Sequence, residues 1–168
     1  MKKSNTKIIV RAAFLVALSI VLTRFLSVMV TPQLRVGIGS MPIILSGMLY
    51  GPVVGGIVGL VTDAIGVMIN PQGTPHLGFT LSSILTGLLP GLICMKMLKD
   101  NDEKLNVATI VSCVIVMLIV HIGLNTYWLS QLFGKAFMAM LPIRALKAII
   151  ETVITIILIR ILYKILKK

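Results

Sequence analysis

Apolar segments long enough to cross a membrane limit what this chain can fold into more than any other feature of its sequence. They occupy residues 8–30, 53–69, 77–98, 105–129 and 141–162, with a shorter one at 41–50. A crossing helix takes ~20 residues, so the 168 residues suit about six crossings joined by short connections. We therefore predict one domain over residues 1–168, an all-α integral membrane protein with six transmembrane helices.

The composition also fits a lipid environment. Hydrophobic residues make up 57% of the chain and charged residues 12%, with a mean hydropathy of +1.04. A soluble domain has about 45–50% apolar and about 25% charged residues. A net charge of +11 in a soluble protein would suggest a nucleic-acid partner. Here the cations flank apolar segments, so we interpret them as topology signals and lipid contacts and predict no nucleic-acid partner.

The distribution of Lys and Arg predicts the orientation in the membrane. With the N-terminus inside, five of the 16 cations fall outside, namely Arg24, Arg35, Lys135, Arg144 and Lys147. The remaining 11 fall inside, which favours a cell-membrane protein with both termini in the cytoplasm. The N-terminal cations and the apolar run after them resemble a signal peptide, but no small-residue cleavage site follows. We therefore predict a retained first span.

The few cations on the outer side predict a site for an anionic ligand. Arg35 lies in a loop just before Gly37, and Arg144 and Lys147 follow Pro142 at the start of the last span. Arg144 and Lys147 are three residues apart and share a helix face. An anion there would be stabilised by both cations and by the helix N-terminus, and Arg pairs well with carboxylates. The alternative is that these side chains reach lipid phosphates.

Polar and aromatic residues near the outer ends of other spans could join this site. Asn125 and Trp128 could hydrogen-bond and stack on a planar ring, although aromatic residues at a membrane border are often simple anchors. His76 and Phe79 lie at the outer start of the fourth span. Asp63 lies within a span, where an ionisable residue is costly and often functional; a structural hydrogen bond between spans is the equal alternative.

Other chemistry is not indicated by the sequence. Glu151 is four residues from Lys147, which predicts an ion pair on one helix, and His121 is interpreted as a packed or hydrogen-bonded histidine. Cys94 and Cys113 lie inside apolar segments and are typical of packing residues. The sequence has no Gly-rich phosphate loop, no catalytic triad and no metal-ligand cluster. We predict no enzyme activity, no cofactor and no metal, and a partner must therefore supply energy for any transport.

Several stretches resemble the folate-type S-components of energy-coupling factor (ECF) transporters. Among them are Leu34-Arg35-Val36-Gly37, Asp63-Ala64-Ile65-Gly66 and Leu141-Pro142-Ile143-Arg144, with further likeness at residues 41–52, 81–91 and 123–130. The likeness covers nearly the whole chain; Ile143 stands where the family leads us to expect a second Pro.

This resemblance implies the six-helix S-component fold and capture of folate from outside. It also implies docking on a scaffold T-component with two ATPase subunits, with Ala13 and Ala17 of the first span facing the scaffold. The acidic tail of folate is expected near Arg35, Arg144 or Lys147, with the ring nearer Asn125 and Asp63. The alternatives are an S-component for riboflavin, thiamine or pantothenate, a stand-alone channel, or a structural membrane subunit.

Overall fold

The chain folds into packed helices with one small hairpin, as seen in a computed structural model that describes residues 5–31, 34–71, 76–97, 104–134 and 136–166. In chain order, the first half contains α1 (Asn5–Ile20), a π-helical turn (Val21–Phe25), β1 (Val28–Thr31), β2 (Leu34–Val36), α2 (Met41–Tyr50) and α3 (Pro52–Ile69). The second half contains α4 (Leu77–Met97), α5 (Leu105–Val116), a π-helical segment (Met117–Leu124), α6 (Asn125–Phe133) and α7 (Phe137–Leu166).

Four helical stretches are long and apolar enough to cross a membrane. They are Thr6–Phe25, Pro52–Ile69, Leu77–Met97 and Leu105–Phe133. Helix α2 is apolar but has only 10 residues, and the 30-residue α7 carries several charged side chains along its length. A helical membrane protein is therefore confirmed, while the number of six crossings stays a prediction.

The outer end of the first predicted span differs from the prediction. The helix ends at Phe25, and Val28–Thr31 forms a strand that pairs antiparallel with Leu34–Val36. The predicted helix over residues 8–30 is therefore wrong beyond Phe25. Val and Thr favour strands because their branched side chains fit a pleated surface, and pairing two strands satisfies backbone groups that a helix end leaves open.

Two further helices contain irregular features. Pro90 lies inside α4, which continues to Met97, within one residue of the predicted end at residue 98. Membrane helices tolerate Pro where neighbouring helices support the backbone, and here Gly91 packs closely against Pro52 at the start of α3. The predicted fifth span is not a uniform α-helix, because the π-helical segment Met117–Leu124 lies in its middle.

Helices α2, α3 and α4 pack so closely that their glycines touch. A Cβ atom added to Gly55 would lie 2.6 Å from the Cα atom of Gly47 and 2.9 Å from the carbonyl carbon of Gly87. No side chain fits at such an approach, so these positions require Gly. This contact holds α3 and α4 side by side, and other parts of the same two helices line the cavity described below.

The distribution of apolar side chains fits a protein surrounded by lipid. The interior contains Leu45, Val120 and Ile159, none of which is exposed. Many large apolar side chains also face outward, and Met68 and Leu77 are 84% and 86% exposed. Contiguous apolar surface of this kind marks a membrane or partner interface.

Candidate functional site

A cavity of about 580 Å³ lies among the helix ends that the orientation prediction places outside. The π-helical turn after α1, the loop after β2, the C-terminal half of α3 and the N-terminal half of α4 form one part of its wall. The π-helical segment Met117–Leu124, α6 and the first half of α7 form another, and single residues of α2 and of the chain after α3 complete the lining. Small-molecule sites are typically about 300–1,000 Å³, so the cavity has the size of a ligand site.

Among the residues that the structure describes, the charged side chains of the cavity wall leave an excess of one positive charge. They are Arg24, Arg144 and Lys147 against Asp63 and Glu151, which is three cations minus two carboxylates, with the histidines taken as neutral. Arg24 pairs with Asp63 at 3.6 Å, and Lys147 pairs with Glu151 at 3.1 Å. The predicted Lys147–Glu151 ion pair is therefore confirmed. The wall as a whole is electrostatically suited to a ligand with a negative charge.

One part of the wall is held together by Arg24, which is only 8% exposed. Its Nη1 donates to the backbone oxygen of Asn70 at 3.2 Å, and the Asn70 amide donates back to the Arg24 carbonyl at 3.1 Å. Asp63 accepts a 2.7 Å hydrogen bond from Thr80. A Cβ atom at Gly66 would lie 2.8 Å from Arg24 Nε, so Gly66 leaves room for the guanidinium.

Sequence reasoning placed Arg24 on the outer side but did not include it in the site. Asp63 was predicted either to bind a ligand or to join two spans, and the structure gives it bonds to both α1 and α4 while it lines the cavity. The possibility that Arg24 pairs with a carboxylate is the sequence signal that could have placed it in the site. A cation and a carboxylate in different spans are each costly in lipid and are expected to meet.

On the opposite side, α7 connects the cavity to the loop after the hairpin. Arg144 is 9% exposed, and its Nε donates to Thr126 Oγ1 at 2.9 Å. Besides pairing with Lys147, Glu151 accepts a 2.7 Å hydrogen bond from the Gly37 backbone N–H. This loop is also tied to α1, because Ser19 donates to the Gly39 carbonyl at 2.6 Å.

Arg35 and Lys135 are the two other cations that the sequence predicts on the outer side. Arg35 lies in β2, with its backbone in register with Met29, close in sequence to the loop that lines the cavity. The Arg35 side chain lies outside what the structure describes, and so does Lys135. A role for Arg35 in ligand binding stays a prediction.

Aromatic side chains border the cavity at the start of α4. His76 accepts a 3.0 Å hydrogen bond from the Gly78 N–H, and its ring lies 6.0 Å from that of Phe79. Both residues line the cavity, as predicted. Trp128 does not line it; its ring packs behind His76 at 5.3 Å and against Tyr127 at 5.1 Å. Trp128 therefore packs against His76, and its direct contact with a ligand stays a prediction.

Asn125 and His121 lie one turn apart and both line the cavity. Within the described part of the chain, the buried Oδ1 of Asn125 has no hydrogen-bond partner, which leaves an acceptor for a ligand. His121, interpreted from the sequence as a packed or hydrogen-bonded residue, also borders the cavity. It lies in the π-helical segment, a feature that is often found at functional sites.

The remaining predicted site residues, Ala13 and Ala17, lie away from the cavity on α1. Both are exposed, and neighbouring Phe14 is 62% exposed. They form a surface of small residues beside a large apolar one, which is a face that another helix can approach. Among the described residues, no group of three or more His, Cys, Asp and Glu is arranged to hold a metal ion.

Comparisons with known proteins agree with this architecture. Residues 3–167 match the family model described as "ECF-type riboflavin transporter, S component". The chain is 38% identical over 148 residues to the folate transporter FolT of Clostridium novyi (strain NT), covering 88% of this chain and 81% of that protein. It is 30% identical over 153 residues to FolT of Leuconostoc mesenteroides, with 88% and 80% coverage.

Solved structures match at the level of the whole fold. A crystal structure of FolT bound with folic acid matches with a TM-score of 0.75 and 28% identity, covering 90% of this chain and 91% of that one. The S-component for biotin from an ECF-type ABC transporter matches with a TM-score of 0.73, and at 19% identity it supports the fold alone.

The helical fold and its enclosed cavity are those of a membrane-embedded transport subunit. The chain belongs to the family of S components of ECF-type transporters. The resemblance that the sequence predicted is confirmed, and the protein is a multi-pass membrane protein of a transporter family.

Proposed function

We propose that this chain binds folate at the outer side of the membrane and carries it inward as the S component of an ECF importer. The excess positive charge in a cavity of ligand size carries this proposal. Folate has a flat pterin ring at one end and a glutamate tail with two carboxylates at the other. Arg144 and Lys147 suit the tail, whereas Asn125 and the wall around Asp63 suit the polar ring.

Riboflavin is the competing ligand, since it is named in the description of the matching family model. Riboflavin carries no carboxylate at neutral pH, so it would leave the excess cation of the wall without a counter-charge. Thiamine is itself a cation and is disfavoured for the same reason. Pantothenate carries one carboxylate but has no ring to fill the space beside His76 and Phe79. Both named relatives are folate transporters, in agreement with the electrostatic argument.

The mass of the small molecule that co-purifies with the protein tests this proposal. The chain is expressed in cells that contain several vitamins, purified in detergent, and its bound ligand is released and identified by mass spectrometry. Folate or a reduced folate is expected. Riboflavin as the main released molecule would overturn the assignment.

Transport in this proposal requires partners, because the sequence has no phosphate-binding loop with which to use ATP itself. A T-component scaffold and two ATPase subunits would supply the energy, and α1 would meet the scaffold through Ala13 and Ala17. The exposed small residues on α1 support this docking face. Folate uptake by cells is expected only when all partner subunits are co-expressed, whereas the isolated chain is expected to bind folate without transporting it.

We include in this proposal the predicted topology of six membrane crossings with both termini in the cytoplasm. Helix α7 has 30 residues and is therefore about 45 Å long, which exceeds the membrane core. Its Arg144 and Glu151 are each 9% exposed, so these charges are held away from lipid. Helix α2 is short, but eight of its 10 residues are buried within the protein, so it needs little contact with lipid.

A further inference from the structure

Several hydroxyl groups on the described helices of this protein are satisfied by the backbone of their own helix. Thr86 donates to the Ser82 carbonyl at 2.8 Å, Thr109 to the Leu105 carbonyl at 2.8 Å and Thr152 to the Ala148 carbonyl at 2.7 Å. In each case the acceptor lies one turn earlier on the same helix. A helix surrounded by lipid has no water to bond such groups, so this arrangement is the expected one.

Thr62 and Ser82 depart from this pattern. Their hydroxyl oxygens are buried and, among the residues that the structure describes, have no hydrogen-bond partner. The two residues are 4% and 3% exposed. A buried hydroxyl without a partner is costly and needs an explanation, and one explanation is a ligand that supplies the missing partner.

Both residues lie on the cavity wall where α3 meets α4. The hydrogen bond between Asp63 and Thr80 joins the two helices on one side of them. On the other side, the backbones approach so closely that a Cβ atom at Gly59 would lie 2.7 Å from the Ser83 carbonyl carbon. The positions of Thr62 and Ser82 are therefore fixed by contacts that do not involve their own hydroxyls.

The cavity consequently has two chemically different walls. The α3–α4 wall presents hydroxyls beside Asp63, whose charge is paired with Arg24, whereas α7 presents Arg144 and Lys147 beside Glu151. A hydroxyl can donate and accept at once, and Thr and Ser have more than one χ1 rotamer available, so rotation about χ1 turns these groups into the cavity. Hydroxyls in this position match a ring edge that carries both N–H donors and carbonyl or ring-nitrogen acceptors.

We propose that Thr62 and Ser82 determine which ring the cavity accepts, by hydrogen-bonding the amino and oxo edge of a fused nitrogen heterocycle. This inference rests on the proposed folate function and assigns the ring to the α3–α4 wall. A site whose buried polar groups are paired only by the correct ligand rejects analogues that lack the matching groups far more strongly than an apolar pocket does.

The test measures the affinity of two ligands for the full-length purified protein. Folate carries the ring, whereas p-aminobenzoylglutamate carries only the acidic tail and is measured by competition with labelled folate. Thr62→Val and Ser82→Ala each remove one hydroxyl. Thr109→Val is the matched control, because Thr109 is equally buried in α5, does not line the cavity and has its hydroxyl already bonded to the backbone.

We expect Thr62→Val and Ser82→Ala each to weaken folate binding by about 10-fold or more. The same variants should change the affinity for the tail fragment by no more than about two-fold, and Thr109→Val should change neither affinity by more than that. A merely structural role would lower both affinities together. Thr62→Ser and Ser82→Thr keep the hydroxyl and should retain folate affinity.

Folate binding of normal strength by Thr62→Val and Ser82→Ala would overturn this proposal and leave the proposed function intact. A protein that does not bind folate at all would overturn the proposed function and this inference with it. If a variant fails to fold, a competition experiment on the unmodified protein tests the proposal instead. A folate analogue whose ring edge lacks the amino and oxo groups should compete at least about 10-fold less well than folate, and equal competition would refute the assignment.

Discussion

Replacing Arg144 with Ala removes a buried cation from the wall that we assign to the acidic tail of the ligand. Arg144 is 9% exposed and lies in the first turns of α7, with Nε bonded to Thr126 at 2.9 Å. The change lowers the net charge of the cavity wall from an excess of one cation to zero. Loss of one charge-assisted hydrogen bond costs about 1.5–3 kcal/mol, which corresponds to a loss in affinity of about 10- to 150-fold.

Titration calorimetry of the detergent-purified protein with folate measures this loss. Arg160→Ala is the control, because Arg160 lies on the same helix, is exposed and is not part of the cavity wall. It changes the net charge of the protein by the same amount and should leave the affinity within about two-fold of the unmodified protein.

Two outcomes would refute the reasoning. If Arg144→Ala binds folate as tightly as the unmodified protein, Arg144 does not contact the ligand. If Arg160→Ala weakens binding as much as Arg144→Ala, the effect reflects overall charge and not the site.

Three further perturbations follow from the structure. Asp63→Ala leaves Arg24 buried without its carboxylate and should lower the free energy of unfolding by about 3–5 kcal/mol, measured by thermal unfolding in detergent. Gly55→Ala should destabilise the protein strongly because its Cβ would collide with neighbouring backbone, whereas Gly56→Ala, with no contact closer than 3.6 Å, should not. Ala17→Leu should abolish folate uptake by cells that contain the partner subunits, while folate binding by the isolated chain is unchanged.

Matched variants make these predictions specific. Asp63→Asn keeps an acceptor for Thr80 but removes the charge, so a loss of stability as large as that of Asp63→Ala would assign the effect to the ion pair. Ala139→Leu places the same bulk at another exposed position, on α7, and should not reduce uptake. Equal loss of uptake in Ala139→Leu and Ala17→Leu would contradict a docking role for α1.

Much of the helical framework was predictable because Pro and Gly mark its boundaries. Gly51-Pro52 separates α2 from α3, and Pro71 follows the end of α3, so the predicted bounds lie within one or two residues of the observed ones. The hairpin was not predictable from hydrophobicity, because Val28–Thr31 is as apolar as the helix before it. Its strand structure depends on pairing with Leu34–Val36, which local sequence does not reveal.

The site was predictable where its contacts are local. Lys147 and Glu151 are four residues apart on one helix, and their ion pair follows from that spacing. The Arg24–Asp63 pair depends on the packing of α1 against α3, which the order of residues does not fix. His121 also borders the cavity, and nothing in the sequence around it signals the π-helical segment in which it lies.

The central claim is that a cavity with one excess cation selects an acidic vitamin, and a direct comparison of two ligands tests it. The purified protein, stripped of bound ligand, is titrated with folate and, separately, with riboflavin under identical conditions. We predict saturable binding of folate and much weaker or no binding of riboflavin. Tighter binding of riboflavin than of folate would contradict the account.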